Sequence, residues 1–434
     1  MTTADKLVKI LGEEIIPAEG CTEPIALAYA ASLATKALAG KAPGKIDVYL
    51  SGNMIKNVKS VHIPGTAGEV GIGMAIAMGA LLGDSSKKLM VISEIDASRL
   101  GEVRDYASAP GRITTILQKD CPKLYIRVEA TLDEDKAIVE ISNFHTHVSR
   151  YEINGRSLLK GSDKKCTESD ALEKEEFTDR SFMSIGLICE EATKMPLERV
   201  ETLFDEVICF NEAIAREGLS GNWGISIGKT IQEGIRDGVY GDDIKNNLSS
   251  WAAAGSDARM NGCPLPVMTT SGSGNQGMTC SLPIIRFCRM KGLSREQMIR
   301  GLMVSHLITI HIKENIGRLS AYCGAMAASA GVAGALAYID NLGIEKVNMA
   351  VETTLATVSG IICDGAKSSC ATKIATGIQT AVDSYYAAKK GRGLRYGDGI
   401  VGQNIESTIS HVGTLGSDGM KETDDVILGI MLDQ

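Results

Sequence analysis

The hydrophobic pattern changes period along the chain. Residues 3–40 carry apolar positions at helical spacing, DKLVKILGEEIIP and then IALAYAASLATKAL, broken between Pro17 and Pro24 by AEGCTEP. KIDVYLSG at 45–52 alternates like a strand, and a loop leads from it to the Gly/Ala-rich helix VGIGMAIAMGALLG. KLMVISEI, LYIRVEATLDEDKAIVEISN and HVSRYEING read as further strands, with the acidic LDED as a tight turn. KGSDKKCTESDALEKEEFTD, 160–179, is charged and weakly periodic, and reads as a linker or exposed excursion. From about residue 182, long apolar stretches of helical period alternate with Gly-rich loops. The expected fold class is therefore α+β, with N-terminal helices over 1–44, a mixed unit over 45–180 and a mainly helical unit over 181–434. No repeat at a period of roughly 20–50 residues is evident, which disfavours a solenoid.

YCGAMAASAGVAGALAYI, 322–339, tests that reading. The chain is uncharged from Leu319 to Ile339, about the length of a bilayer span, but Ala, Gly and Ser dominate it. A buried helix packed closely through small residues is expected instead of a membrane segment. A length of 434 residues suits two or three structural units, and only 4% are aromatic, so helix packing must rely on small side chains. A net charge of -8 gives no basic footprint for nucleic acid or an anionic membrane. The first residues mix Lys and Glu into their apolar pattern, which argues against secretion and for a cytoplasmic protein. Eleven cysteines, an odd number without short regular spacing, should be reduced thiols that mostly pack the core. Abundant small-residue helices make a homodimer the expected state.

Three cysteines stand apart because each sits in a Gly/Ser/Asp-type loop or at a helix edge: Cys323 in SAYCGAMAAS, and Cys363 and Cys370 in SGIICDGAKSSCATK. Thiolates hold iron–sulfur clusters, and three of them would leave one iron of a cubane open to act as a Lewis acid. A helix beginning at Cys323 could also aim its N–H groups at an anionic cluster. Spacing alone leaves packing open as the other explanation. SGSGNQG lacks both GxxxxGK[ST] and the full GxGxxG context, so it is no nucleotide loop. His306 and His311 are five apart, off the i,i+4 spacing of a shared metal face. His311 and Lys313 precede Cys323 closely enough to line a pocket, with core or surface roles equally open. His62, His145, His147 and His411 carry no assigned role. Cys121, Cys166, Cys189, Cys209, Cys263, Cys280 and Cys288 are assigned to packing, with Cys280 the one competing ligand candidate.

EGCTEP (19–24), SGNMIKN (51–57), SGSGNQG (271–277), YCGAMAAS and CDGAKSSC occur in that order along the chain. Its C-terminal half resembles the α-chain family of bacterial iron–sulfur L-serine dehydratases, and the whole chain is more similar still to the L-cysteine desulfidase branch of that superfamily. The resemblance implies a small mixed α/β unit packed on a large helical domain of serine-dehydratase-α type. It further implies that Cys323, Cys363 and Cys370 ligate a [4Fe-4S] cluster with one open iron. The implied reaction is β-elimination, turning L-cysteine and water into pyruvate, ammonia and hydrogen sulfide. Cys21 would be base or sulfur acceptor, which requires a thiol depressed below its usual ~8.5, and Glu23 is a second candidate base. Ser51, Asn53, Lys56 and Asn57, in a loop after a strand, and Ser273, Asn275 and Gln276 would hold the substrate's carboxylate and ammonium. Alternatives are L-serine or another β-substituted amino acid as substrate, and a cluster or sulfide sensor or store without turnover. No lysine context calls for pyridoxal phosphate.

Overall fold

Thr2 opens the first helix. Its hydroxyl accepts from the Asp5 N–H while the Asp5 carboxylate accepts from the Thr2 N–H, a capping box before α1 (Thr3–Glu14). In this computed structural model, which describes residues 2–66, 68–159, 172 and 177–433, α1 turns Leu7, Ile10 and Leu11 into a core built by the second half of the chain. After β1 (Pro17–Glu19), the almost wholly buried α2 (Thr22–Ala37) joins a second core instead, against a sheet.

That sheet comes from β2 (Lys45–Leu50), β3 (Ile113–Leu117), β4 (Tyr125–Leu132), β5 (Asp135–Ser142), β6 (Val148–Ile153) and β7 (Arg156–Ser157), in the order β3-β2-β4-β5-β6-β7. Only the β2–β3 pair is parallel. Alternation works as expected: Ile46, Val48, Leu50, Ile126, Val128, Ala130, Ala137, Val139 and Ile141 are buried on one face. On the other, Arg127 lies over the Tyr49 ring and pairs with Glu129. LDED makes the β4–β5 hairpin, with Asp133 at φ +53°. α3 (Gly52–Val58), α4 (Ile72–Leu82) and α5 (Leu100–Ser108) fill the connections. KLMVISEI is not a strand. Ser85–Met90 is a 3-10 turn capped by Asp84, with Lys88 at φ +49°, and Leu89, Val91 and Ile92 enter the sheet core from it. A short apolar run has no period to tell these states apart. The excursion expected over 160–179, with Cys166, lies largely outside the described residues.

The rest is helical: α6 (Ile185–Lys194), α7 (Glu201–Ser220), α8 (Ile227–Arg236), α9 (Ile244–Met260), α10 (Gly274–Lys291), α11 (Arg295–Ile316), α12 (Gly324–Ile339), α13 (Ile344–Val358), α14 (Cys370–Lys389), α15 (Ile405–Thr414) and α16 (Lys421–Leu432). The one strand among them, β8 (Pro266–Met268), pairs antiparallel with β1 and ties the N-terminal motif to this layer. α12 is the central helix, packed by α10, α11, α13 and α14 and buried from Ala325 to Ala337. A Cβ on Gly331 would stand 2.5 Å from the Ser305 carbonyl of α11, so only glycine permits that approach. At 16 residues α12 is short for a span, and among the described residues no helix is long and apolar enough to cross a membrane. The expected α+β class, a small mixed unit on a large helical one, is the observed one.

Candidate functional site

Cys21, Ser273 and Cys323 are the N-caps of α2, α10 and α12, and Cys370 is the first residue of α14. All four line one buried cavity of about 90 Å³, so four helix N-termini face a common space. Their first-turn N–H groups and positive dipole ends favour an anionic occupant. Ser273 caps its helix by accepting from the Gln276 N–H, whereas Cys21 and Cys323 make no such bond and leave their thiols to the cavity.

Cys363 reaches Cys323 through the main chain. Its N–H donates to the Ala321 carbonyl at 2.6 Å and the Cys323 N–H donates to the Ile361 carbonyl at 3.2 Å, around an antiparallel bridge between Tyr322 and Ile362. Side chains alternate across such a bridge, so Cys323 and Cys363 share the face opposite Tyr322 and Ile362. The loop to Cys370 is pinned by Asp364, which binds Lys367 and Lys373, and by Ser368, whose hydroxyl donates to Asn261 Oδ1 at 2.9 Å. Gly365 sits at φ +96°, where a Cβ would meet the Lys56 carbonyl at 2.6 Å. Cys370 then packs against the small apolar cluster of Cys21, Val61 and Met260.

The charges in the cavity are specific. Burial raises Glu23, but His145, the Cys21 thiol and Arg259 outweigh it and hold the carboxyl at about 2, ionised. Its oxygens accept from the Cys21 thiol at 2.9 Å, Thr22 at 3.1 Å and Asn57 at 3.2 Å. His145 Nε2 stands 3.9 Å from Glu23 Oε1, beyond ordinary hydrogen-bond length. Burial and then the Glu23 charge push the Cys21 thiol well above its ordinary value. This is opposite to the depression that Cys21 needs as a base, and Glu23 is the group that carries the negative charge. Burial followed by the neighbouring thiols raises Cys323 to about 12 and Cys370 to about 11. Lys313 is pushed down to about 8 by burial, against the opposing influence of Cys363 and Cys323.

Several polar atoms here have no hydrogen-bond partner among the described residues: Arg259 Nε and Nη2, Gln276 Oε1, and both ring nitrogens of His145. Arg259 is anchored only by Nη1, which donates to Asn275 Oδ1 at 3.1 Å. Buried polar groups without partners cost stability, and their convergence on one cavity suits a polar ligand. Arg318, stacked 3.8 Å from the centre of the Phe144 ring, Lys313, Ser271 and Leu319 also line an outer cleft of about 460 Å³.

Of the residues singled out from sequence, Cys21, Glu23, Asn57, Ser273, Asn275, Gln276, Cys323, Cys363 and Cys370 line this cavity. Ser51, Asn53 and Lys56 do not; they line a separate cavity of about 490 Å³ with Lys123 and Asp424. Ser51 caps α3 and donates to the Lys123 carbonyl at 2.6 Å, and Lys56 is buried in an ion pair with Asp424. Lys313 lines the cavity, but His311 does not, being bonded to Glu406 at 2.6 Å. Cys280 is no competing ligand: it lies inside α10, bonded to Thr309. His62, His147 and His411 each bond a backbone carbonyl. The residues missed were Arg259, His145 and Arg318. Arg259 had a signal, a lone arginine in the Ala/Gly/Ser-rich WAAAGSDARM; the other two sit in loops whose position depends on the fold.

The ten cysteines among the described residues are free thiols, and no three His, Cys, Asp or Glu side chains among those residues are gathered closely enough for one metal ion.

Fold and site together define an α+β protein in which a helical layer presents cysteines at its helix starts to a buried, cation-lined cavity. The chain belongs to the serine dehydratase alpha chain family, whose model matches residues 123–429. It is 51% identical over 430 residues to a UPF0597 protein of Fusobacterium nucleatum, covering 99% of each chain. UPF0597 proteins of Lachnoclostridium phytofermentans (42% identical, 98% of this chain and 99% of the relative) and Desulfitobacterium hafniense (41%, 98% and 96%) are similar over the same extent.

Proposed function

We propose that the protein is a lyase that removes the β-substituent of a small amino acid, L-cysteine in the first place, with Cys323, Cys363 and Cys370 as ligands of a [4Fe-4S] cluster. The observation that carries this reading is the main-chain pairing that sets Cys323 beside Cys363, with Cys370 on the same cavity. The donor set suits the group. Thiolates on different irons stand farther apart than the ligands of one ion, so three thiols around a shared cavity fit a cluster where they do not fit a single metal. Four helix N-termini offset its negative charge. When bound, a cluster with one iron lacking a protein thiolate supplies a Lewis acid for the sulfur leaving group.

The chain's own residues would do the rest. Arg259 and Lys313 offer cations for the substrate carboxylate, and Gln276 Oε1 offers an acceptor for the ammonium. Glu23, ionised but held at about 2 and so a weak base, is the carboxylate assigned to accept the α-proton, with His145 Nε2 3.9 Å away. Loss of the α-proton and of sulfide leaves aminoacrylate, which water converts to pyruvate and ammonia. The neutral Cys21 thiol acts as a donor to Glu23.

The family description favours a second reading, L-serine with hydroxide leaving, in the same cavity. Anaerobically purified protein should contain iron and acid-labile sulfide and should release sulfide and pyruvate from L-cysteine. Pyruvate from serine with nothing from cysteine selects the second reading. Equal cluster content in wild type and Cys363→Ala removes Cys363 from the ligand set.

A further inference from the structure

Lys56 belongs to a motif expected to touch substrate, yet its ammonium is buried and faces elsewhere. Its Nζ donates to Asp424 Oδ1 at 2.6 Å and to the Cys363 carbonyl at 3.1 Å. The second oxygen of Asp424 accepts from the Ala321 N–H at 3.1 Å. Ala321 and Cys363 are themselves bonded across the Tyr322–Ile362 bridge. One ion pair therefore grips both strands of the bridge that carries two of the cysteines, from α3 on one side and α16 on the other. Neither side chain lines the cysteine cavity. A single bridge with two main-chain hydrogen bonds would not hold register alone, since short two-stranded elements are marginal in water.

We propose that the Lys56–Asp424 pair is the positioning device that fixes the relation of the Cys323 and Cys363 thiols. The proposal rests on the reading of these cysteines as partners in one ligand set, and deepens it. Across an antiparallel pair, diagonal neighbours on one face have Cα atoms about 7–8 Å apart, and a slip of one residue would turn one thiol to the opposite face. The ion pair blocks that slip, because Cys363 O and Ala321 N must both meet it.

Removing one partner leaves an unpaired buried charge, whereas replacing both with apolar groups can preserve stability. The test is therefore Lys56→Met together with Asp424→Leu, with Asp424→Asn alone as the isosteric control should the double variant not fold. Three quantities are read: thermal midpoint, iron with the visible absorption and paramagnetic signature after anaerobic purification, and bridging of Cys323 to Cys363 in metal-free protein by a short bis-maleimide, located by peptide mass spectrometry. The expected result is a thermal midpoint near wild type for the double variant, with several-fold less cluster, an altered signature and several-fold less bridged peptide. Asp424→Asn should move the last two in the same direction. Wild-type bridging and a wild-type signature in these variants would overturn the proposal. If wild type itself bound no iron while bridging still fell in the variants, the positioning role would stand and the cluster reading would fail.

Discussion

Two buried polar groupings lie on either side of the Cys363 segment, and they are built in opposite ways. Around Lys56 and Asp424 the hydrogen bonds close: ammonium to carboxylate and carbonyl, carboxylate to ammonium and N–H. Around Arg259, Gln276 and His145 they stay open, with five polar atoms lacking a protein partner in a cavity of about 90 Å³. An unmet buried hydrogen bond costs on the order of 1–3 kcal/mol, so several open atoms facing one cavity suit a ligand that supplies the partners. Under the proposed function the closed set is the structural element and the open one the ligand site.

The comparison breaks most severely at Glu23. Glu23→Gln keeps the shape and an acceptor oxygen for Asn57 but removes the charge and the second acceptor that Thr22 and Cys21 use. Turnover should fall by about 10²–10⁴-fold with cluster content unchanged. Loss of cluster with the activity would mean that Glu23 belongs to the architecture of the site instead. At the closed set the readout inverts: Lys56→Met alone should cost about 3–5 kcal/mol in denaturant unfolding, because Asp424 is left buried and unpaired. Arg259→Gln lies between these. A lost charge-assisted contact to the substrate carboxylate, about 1.5–3 kcal/mol, should raise KM roughly 10–100-fold. Its stability cost should be well below that of Lys56→Met, because two of the Arg259 nitrogens have no protein partner to lose. A KM unchanged from wild type would remove Arg259 from the binding role.

The same contrast explains what could be read before the fold was known. Period-two alternation in β2, β4 and β5 and the small-residue stretch of α12 are local signals, and each became the expected element. Cys323 could be tied to a helix start because such a start is written within a few residues, whereas Cys21 took its role from the family resemblance and Cys370 was read in a polar loop that ends at the first residue of α14. Whether SGNMIKN points Lys56 at the cavity or away from it depends on which face of a seven-residue helix meets α16. His145 and Arg318 enter the site only because Phe144 carries the Arg318 guanidinium against a loop of the sheet unit. No local pattern encodes such meetings of distant segments. KLMVISEI failed for the converse reason, since its composition suits a strand and only the tertiary setting turns it into a capped 3-10 turn.

His306 offers the mildest and sharpest test, because it is an open polar group outside the cavity. Its Nδ1 meets the Thr270 hydroxyl at 2.7 Å, its Nε2 has no protein partner, and the Phe204 ring lies 5.7 Å away. Burial lowers its pKa from 6.5 to about 3, so the folded protein keeps the ring neutral. Below pH 6.5 the unfolded chain binds a proton at this ring that the folded chain refuses, and the contribution of His306 to stability falls as pH drops, by up to ~1.4 kcal/mol per unit, until the folded ring also protonates near 3. Glu23, depressed from 4.5 to about 2, contributes stability that is full above 4.5 and is lost only as pH falls toward 2. The window from pH 6.5 to 5 therefore separates the histidine from that carboxylate, while Glu19 and Asp257, both raised to about 7 by burial, add an opposite slope that wild type and variant share. In urea titrations across it, the stability of His306→Gln relative to wild type should rise as pH drops, at unchanged cluster content and KM. An equal slope would mean that the buried ring accepts a proton in the folded state. A changed KM would place this open group within the reach of the ligand site, and the line between open-for-ligand and merely open would have to be redrawn.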